Sequence, residues 1–284
     1  MYVSIDGHCI PHTEAMVSVF SRAVQYGDGV FETMRIIRGR PFLLERHIQR
    51  LIQGLSWLGI MCPMSISQIS TAVYELIGRN STVNAVLKII AYRDDGLLRT
   101  PVPAADGRLV MFIRPFDECR FERSQKGITA WIASSRRNCR SPLPRLKSLN
   151  YLENIIALRE ASTHGADEAI FLNIFDMLAE GATSNLFIVK DRTILTPPDD
   201  AGILQGVTRS IVIELAHHMN IPLSIENISY HDLMNADEAF CTNALMGVMP
   251  LCTVNGHSIG SNVPGQVTRT MQNKLTDMMS NNRE

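Results

Sequence analysis

The stretch 146–160 is where the pattern of this chain changes most abruptly. A basic, proline-bearing loop ends there, and apolar residues begin to recur at helical spacing. Asn150 followed by Glu153 predicts a helix N-cap with its capping-box partner. A helix that begins at this point leaves Lys147 on the short approach to it. The apolar positions of the predicted helix are Leu152, Ile155 and Ile156.

Lys147 has two interpretations. As an ordinary basic residue, it is solvated at the end of a loop. As a reactive lysine, it bonds covalently to a carbonyl group, which requires desolvation or cationic neighbours. The neighbours that could lower its pKa by like charge are Arg136, Arg137, Arg140 and Arg145. The local pattern leaves both interpretations open.

A glycine-bounded turn precedes a predicted strand near the N-terminus. Gly27 and Gly29 flank the turn, and residues 30–38 have the composition of a strand. Because side chains alternate along a strand, the segment has two distinct faces. One face carries Phe31, Thr33 and Arg35, and the other carries Val30, Glu32 and Met34.

An amphipathic helix follows this strand. His47 and Arg50 flank its apolar stripe, a position where basic residues are usually solvated. The planar guanidinium of Arg50 also has the geometry that matches a phosphate group. The stripe consists of Leu44, Ile48, Leu51, Leu55 and Leu58.

A second glycine-bearing loop, at residues 202–206, opens another predicted helix. The exposed amides at a helix N-terminus favour an anion, although glycine-assisted helix starts are common. The core side of this helix is predicted to include Val207, Ile211, Leu215 and Met219.

The order of these elements predicts an α/β (α+β) protein of two domains. Residues 1–115 form a small N-terminal domain, 116–127 an interdomain loop, and 128–284 a larger domain. A chain of 284 residues is long enough for this arrangement.

Composition excludes several classes of protein. The net charge of −1 gives no indication of nucleic acid or a membrane surface as partner. No apolar run approaches the roughly 20 residues of a membrane span, and the N-terminus does not have the pattern of a signal peptide. The six cysteines form no Cys-x-x-Cys pair and are expected to be reduced thiols in the cytoplasm. The eight histidines do not cluster, so we expect no metal site.

Two long motifs give the chain a resemblance to a known family. Residues 147–154, Lys-Ser-Leu-Asn-Tyr-Leu-Glu-Asn, resemble the lysine signature of the fold-type IV pyridoxal-phosphate enzymes, the class IV aminotransferases. Residues 180–187, Glu-Gly-Ala-Thr-Ser-Asn-Leu-Phe, resemble their second signature, and residues 26–32 are similar to their N-terminal motif. The resemblance covers nearly the whole chain. It implies a small α/β domain and a larger β-barrel-like domain with helices.

The resemblance implies pyridoxal 5'-phosphate (PLP) as cofactor and a role for each matched residue. Lys147 would be the catalytic residue, bound covalently to the cofactor and moving protons. Glu180 would face the pyridine nitrogen, and Tyr151 the ring's 3-oxygen. The phosphate end would be bound by Arg50, Val207, Thr208, Thr242 and Asn243. The substrate would be contacted by Tyr26, Phe31, Thr33, Arg93, Arg99 and Ala244.

The resemblance says less about which reaction is catalysed than about which cofactor is used. Residues 243–250, the turn near Gly27 and the arginine loop near Arg99 look most like 4-amino-4-deoxychorismate lyase, which releases 4-aminobenzoate and pyruvate in folate biosynthesis. The lysine motif is shared with the aminotransferases, so one acting on branched-chain L-amino acids or D-amino acids is the alternative. Arg99 lacks the Arg-x-His pattern of the D-amino-acid enzymes. The resemblance also implies a small amino substrate and a homodimer with active sites near the subunit interface.

Overall fold

The computed structural model describes residues 1–94, 105–116, 126–260 and 264–281. Of these, the residues of Met1–Phe116 and Leu146–Asn150 form one compact unit, and those of Asp117–Arg145 and Tyr151–Asn281 form the other. The sequence placed all of 128–284 in one domain. The structure differs, because Leu146–Asn150, which contains Lys147, belongs to the first unit.

The first unit is built on one sheet with the strand order β2-β1-β7-β6-β3-β4. These neighbours are antiparallel, and β5 pairs with β7 in parallel. The strands are β1 (Tyr2–Ile5), β2 (His8–Pro11), β3 (Gly29–Ile37), β4 (Arg40–Pro41), β5 (Ile60–Met61), β6 (Ala85–Arg93) and β7 (Ala105–Pro115). The helices are α1 (Arg22–Tyr26), α2 (Leu44–Trp57) and α3 (Ile66–Arg79).

The core of the first unit lies between one face of this sheet and helices α2 and α3. Four of the five residues predicted for the apolar stripe of α2, Leu44, Ile48, Leu51 and Leu55, are buried. The fifth, Leu58, follows the helix and is partly buried against the same core. The opposite face of β3 and β6, called the outer face below, carries Phe31, Thr33 and Arg35 of β3 and Val86, Lys88 and Ile90 of β6.

The second unit is built on a mixed sheet with the strand order β10-β9-β8-β15-β14-β11-β12-β13, and β16 pairs with β15. The strands are β8 (Ile128–Arg137), β9 (Glu168–Asn173), β10 (Leu178–Gly181), β11 (Asn185–Lys190), β12 (Thr193–Thr196), β13 (Leu223–Ile225), β14 (Glu238–Asn243), β15 (Gly247–Val254) and β16 (His257–Ser258). The helices are α4 (Leu152–Thr163), α5 (Val207–His218), α6 (Tyr230–Met234) and α7 (Gln266–Asn281). None of the described helices is long and apolar enough to cross a membrane.

Helix α4 departs from its sequence prediction in two ways. It begins at Leu152 with Tyr151 at the N-cap position, so Asn150 is not its N-cap. The Asn150 side chain donates a hydrogen bond to the Gly27 carbonyl at 3.0 Å. Its buried side is formed by small and polar residues. The three apolar residues that marked the helix, Leu152, Ile155 and Ile156, are exposed.

Candidate active site

The segment around Lys147 is held against the start of β3. The Lys147 carbonyl accepts a hydrogen bond from the Phe31 amide at 2.9 Å, and the Leu149 amide donates to the Gly29 carbonyl at 2.9 Å. Ser148 lies between these contacts and forms an antiparallel bridge with Val30. These contacts fix the backbone at the lysine carbonyl and in the two residues that follow it.

Gly27, just before β3, and Gly29, its first residue, allow the Lys147 segment to approach the start of β3 closely. Gly27 has φ 66°, and a side chain there would press on Asn150. A Cβ at Gly29 would lie 2.6 Å from the Ala91 carbonyl oxygen and 2.9 Å from the Leu149 side chain. Both positions therefore need glycine, and the Gly-Asp-Gly turn is what allows the lysine segment to pack here.

The Lys147 ammonium lies 4.6 Å from the centroid of the Phe31 ring, within range of a cation–π contact. Two of the arginines that precede Lys147 in the sequence are paired with carboxylates of the second unit. Arg136 pairs with Asp176 at 2.8 Å, and Arg137 pairs with two glutamates. The charges of these two arginines are therefore balanced by carboxylates.

Glu32, His47 and Arg50 form a buried polar cluster on the core side of β3. Arg50 donates from Nε to Glu32 Oε1 and from a terminal nitrogen to Oε2, both at 2.7 Å. His47 Nδ1 lies 2.7 Å from the same Oε2. A bidentate pair of this kind fixes the plane of the guanidinium. Glu32 therefore determines the orientation of Arg50.

The cluster keeps Glu32 ionised. Burial opposes the charge, but Arg50 and His47 outweigh it and lower the pKa of Glu32 to about 2. Burial lowers the pKa of His47, against the opposing influence of Glu32. At neutral pH the cluster is accordingly a carboxylate, a guanidinium and a neutral imidazole.

In the second unit, Glu180 at the end of β10 is buried and accepts hydrogen bonds on both oxygens. Oε1 accepts from Arg137 at 3.2 Å. Oε2 accepts from the Leu204 amide at 2.8 Å and, more weakly, from Asn185 at 3.5 Å. These donors suit a carboxylate and hold it in one orientation.

Arg137, which donates to Glu180, is held in place by further contacts of its own. It pairs with Glu153 on α4 as well as with Glu180. Its guanidinium also lies 4.0 Å from the centroid of the Phe171 ring. Arg137 thus joins Glu180 to α4 and β9.

The turn after Glu180 is anchored by a second buried carboxylate, Glu168. It accepts hydrogen bonds from the hydroxyls of Thr183 at 2.6 Å and Ser184 at 2.9 Å. Tyr151 donates to the Ala182 carbonyl of the same turn at 2.9 Å. Burial and the charge of Glu180 raise the pKa of Tyr151 to about 12, so its hydroxyl stays protonated.

The N-terminus of α5 and the end of β14 together offer hydrogen-bond donors to an anion. The residue before α5, Gly206, provides no side-chain cap for the amides of the first turn, which include those of Val207 and Thr208. Thr242 is 1% exposed, and its hydroxyl has no hydrogen-bond partner in the part of the chain that the structure describes. Asn185 connects these places, because it pairs with Thr242 across the sheet and donates to the Leu204 carbonyl at 2.7 Å.

The turn after Thr242 uses the side chain of Asn243 internally. Asn243 accepts from the amides of Leu245 at 2.9 Å and Met246 at 2.7 Å, and it donates to the Thr183 carbonyl at 3.1 Å. Ala244 occupies this turn. Asn243 therefore shapes the loop beside Thr242.

The substrate residues expected in the first unit have different environments. Phe31 and Thr33 lie on the outer face, and Tyr26 is 42% exposed at the end of α1. Arg93 is buried and donates to Asp28 at 3.0 Å and to the Leu58 carbonyl at 2.9 Å. These contacts favour a structural role for Arg93 over binding of a substrate carboxylate. Arg99 lies outside the described residues.

The family described as "Amino-transferase class IV" matches residues 29–254 of the chain. This match spans β3, the Lys147 segment, Glu180 and the Thr242 turn. The chain belongs to the class IV aminotransferases. The resemblance of its lysine and glutamate motifs to that family is thereby confirmed.

Class IV relatives with different activities resemble the chain to similar degrees. A Methanocaldococcus jannaschii protein, named provisionally as a branched-chain-amino-acid aminotransferase, is 33% identical over 98% of this chain and 96% of its own length. The aminodeoxychorismate lyase of Bacillus subtilis is 31% identical over 95% of this chain and 92% of its own. The solved branched-chain amino acid aminotransferase of Escherichia coli matches with a TM-score of 0.94 at 28% identity, over 100% of this chain and 96% of its own. The α/β expectation is confirmed by this shared fold.

Class IV aminotransferases are PLP enzymes, and this chain is one of them. A branched-chain amino acid aminotransferase from T.th., solved with pyridoxamine 5'-phosphate, matches with a TM-score of 0.92 at 26% identity, over 99% of this chain and 95% of its own. The residues present fit such a group. The unpartnered Thr242 hydroxyl, in the described part of the chain, and the uncapped start of α5 suit a phosphate, and Glu180 is a fixed buried carboxylate.

Three residues that support the candidate site residues were not identified as such from the sequence. Glu32 was detectable, because a carboxylate on the apolar face of β3 needs a buried partner. Arg137 and Glu168 gave no such signal, since their partners are distant in sequence. No group of three or more metal-binding side chains occurs among the described residues.

We expect Glu32 and Arg50 to act as one unit in cofactor binding. Glu32→Gln and Arg50→Met should each weaken PLP affinity by about 10- to 100-fold, because each removes the fixed guanidinium or the charge that fixes it. The double variant should lose little more than Arg50→Met alone. Equilibrium titration of the apoenzyme with PLP measures all three affinities. Glu45→Gln, an exposed change on the same helix, is the control. Additive losses would show that Glu32 acts independently of Arg50.

The same cluster should make stability depend on pH. In the unfolded chain His47 has the ordinary histidine pKa of about 6.5, whereas burial lowers its pKa in the folded chain. As the pH falls, the unfolded chain therefore binds this proton first. The free energy of unfolding should therefore fall as the pH drops below about 6.5. Glu32 should add a further loss between its ordinary pKa and about 2. His47→Gln should flatten the slope between pH 6.5 and 4.5 in urea unfolding. Exposed His218→Gln should leave it unchanged, and an identical slope in both variants would contradict the assignment.

Proposed function

We propose that this chain is a PLP-dependent lyase that converts 4-amino-4-deoxychorismate to 4-aminobenzoate and pyruvate, a step of folate biosynthesis. The observation that carries the proposal is the charge of the outer face. Beside Phe31 and Thr33, this face carries the cations Arg35 and Lys88. A branched aliphatic side chain needs an apolar surface, whereas a substrate with carboxylates is stabilised by cations.

The cofactor residues are proposed on the family motifs and on the local geometry of each unit. By the family motifs, Lys147 Nζ would hold PLP covalently, Glu180 would pair with its ring nitrogen, and the Tyr151 hydroxyl, which here donates to the Ala182 carbonyl, would face its 3-oxygen. When bound, PLP supplies an electron sink at the substrate amine. The residues proposed for the phosphate end are Arg50, Val207, Thr208, Thr242 and Asn243.

Lys147 is the proton-transfer group in the proposed reaction. Its Nζ would remove the proton from the carbon that bears the amino group. The C–O bond on the neighbouring ring carbon then breaks, and the ring becomes aromatic. The departing enolpyruvyl group would take up the proton that Lys147 removed, directly or relayed by the Thr33 hydroxyl, and leave as pyruvate. All atoms of the substrate are recovered in the two products.

An aminotransferase is the second candidate, because branched-chain aminotransferases resemble the chain over its whole length. Lys147, Glu180 and the phosphate residues would have the same roles. Only the fate of the substrate would differ, since the amino group would pass to a 2-oxo acid.

A paired assay on the holoenzyme separates the two functions. One arm supplies 4-amino-4-deoxychorismate and follows pyruvate and 4-aminobenzoate. The other supplies L-leucine, L-glutamate or D-alanine with a 2-oxo acid and follows amino transfer. We expect both products in the first arm and little transfer in the second. Fast transfer without 4-aminobenzoate would refute the lyase.

We also propose that the enzyme is a homodimer of the cytoplasm. The exposed apolar residues Leu152, Ile155 and Ile156 on α4 favour a partner surface, and the described cysteines are all free thiols. Leu152→Glu should shift the sedimentation coefficient towards that of the monomer. Exposed Glu226→Gln should not, and an unchanged assembly in Leu152→Glu would remove α4 from the interface.

A further inference from the structure

Asp28, the central residue of the Gly-Asp-Gly turn, is shared by two arginines. Its Oδ2 accepts a hydrogen bond from Arg22 Nε at 2.7 Å and another from Arg93 Nε at 3.0 Å. None of these three side chains is more than 13% exposed. Charge-assisted hydrogen bonds at such burial meet little competition from water, so the two arginines hold the carboxylate firmly.

The main chain of Asp28 is bound to the same two residues. Its amide donates to the Arg22 carbonyl at 3.3 Å, and its carbonyl accepts from the Arg93 amide at 3.1 Å. Arg22 is the first residue of α1, and Arg93 is the last residue of β6. Side chain and main chain together therefore restrict the rotation of both peptide units of Asp28.

Arg93 connects the turn to the end of α2. A terminal nitrogen of its guanidinium donates to the Leu58 carbonyl at 2.9 Å and to the Gly59 carbonyl at 3.3 Å. Its Nε is directed at Asp28 at the same time, an arrangement that uses the fork geometry of a guanidinium. Loss of Asp28 would leave the buried charge of Arg93 without this carboxylate.

The clamped turn is the place where the Lys147 segment docks. In the peptide unit that joins Gly27 to Asp28, the N–H is bound to Arg22, and the carbonyl accepts from the Asn150 side chain at 3.0 Å. The two groups point in opposite directions in one plane, so the clamp on the first also orients the second. The Gly29 carbonyl accepts from the Leu149 amide at 2.9 Å.

We propose that Asp28 is a positioning residue for Lys147 and that Arg93 acts together with it. Asp28 fixes the turn, and the turn fixes the backbone of residues 146–150. The Lys147 ammonium thereby keeps its place 4.6 Å from the centroid of the Phe31 ring. Asp28 and Arg93 act through Lys147 and not by contact with substrate. The proposal rests on the proposed function only in that Lys147 is the reacting lysine.

Hydrogen–deuterium exchange of the holoenzyme, followed by mass spectrometry, tests the docking directly. Asp28→Asn keeps the size of the side chain and removes its charge. The Leu149 amide should exchange at least about tenfold faster in this variant, whereas the amides of α3 should change by less than about threefold. Exposed Asp277→Asn, the same change on α7, should match the wild type. Unchanged exchange at Leu149, or an equal increase at Leu149 and in α3, would overturn the proposal.

Arg22→Met is a milder form of the same test. It leaves Asp28 paired with buried Arg93 and removes only the other partner. Exchange at Leu149 should therefore increase by a smaller factor than in Asp28→Asn. This variant decides the proposal even where the uncompensated charge of Arg93 prevents Asp28→Asn from folding, because an Arg22→Met protein with wild-type exchange at Leu149 would contradict the clamp.

Arg93→Met distinguishes positioning from binding of a substrate carboxylate. A positioning role predicts the same faster exchange at Leu149 as in Asp28→Asn, with little further increase in the double variant. It also predicts a kcat about tenfold lower and a KM changed by less than about threefold, because the reacting lysine is displaced and the substrate contacts are not. A raised KM with unchanged kcat and unchanged exchange would show that Arg93 binds substrate and would overturn its assigned role.

The exchange experiment does not depend on the reaction. A protein without lyase or transfer activity would refute the proposed function, while exchange at Leu149 would still decide whether Asp28 holds the lysine segment in place.

Discussion

We expect Lys147→Ala to keep its fold and to turn over substrate at least about 10³-fold more slowly than the wild type. The proposed Lys147 both holds the cofactor covalently and transfers the substrate proton, and each role is worth orders of magnitude in rate. The backbone of the segment is fixed by hydrogen bonds to Gly29 and Phe31, which the substitution leaves in place. We therefore expect PLP to bind non-covalently, without the violet absorbance of the covalently bound form.

A small primary amine separates loss of chemistry from loss of structure. Methylamine added to Lys147→Ala should restore part of the proton transfer, whereas it should not restore a misfolded protein. Lys274→Ala is the matched control, because Lys274 is exposed on α7. Retention of more than about a tenth of wild-type turnover by Lys147→Ala would contradict the role of this lysine.

Glu180→Gln should reduce turnover by about 10²- to 10³-fold with a smaller change in KM. A carboxylate proposed to face the ring nitrogen keeps that nitrogen protonated, and a neutral amide does so poorly, which weakens the electron sink. The amide would also leave the Arg137 guanidinium with one carboxylate, Glu153, in place of two. The absorbance spectrum of bound PLP should shift as well, which a purely structural loss would not cause.

Two further variants serve as comparisons for Glu180→Gln: Arg137→Met, which changes a neighbour of Glu180, and Glu226→Gln, which changes an exposed glutamate. Arg137 touches Glu180 but is not proposed to touch the cofactor, so Arg137→Met should reduce kcat by a smaller factor, about tenfold. Exposed Glu226→Gln should change neither kcat nor the spectrum. Unchanged kcat and spectrum in Glu180→Gln would show that Glu180 has only a structural role.

Local patterns predicted local structure well. The apolar spacing of α2 correctly predicted a buried stripe from Leu44 to Leu55, because the helix packs along one side. The Gly-Asp-Gly turn was recognisable as a turn, although only the structure shows why Gly29 is needed there. That reason is the close approach of Ala91, Tyr92 and Leu149, all distant in sequence.

Contacts between residues that are distant in sequence could not be predicted from the sequence. Asn150 has the pattern of an N-cap, but the helix begins at Leu152, and the Asn150 side chain donates to the carbonyl of Gly27, which is distant in sequence. The apolar positions of α4 have core spacing and are nevertheless exposed, because its small residues Ala157 and Ala161 form the buried side. Lys88 was not singled out at all, since its place beside Thr33 and Phe31 is visible only once β3 and β6 are paired.

Borohydride reduction of the purified holoenzyme, followed by digestion and mass spectrometry, tests the central claim most directly. Reduction makes the covalent link between PLP and its lysine permanent. Among the five lysines of the chain, we expect the pyridoxyl mass on the peptide that contains Lys147 and on no other. The label on Lys88 or another lysine, or no label from a protein that holds PLP, would contradict the assignment of Lys147 as the reacting residue.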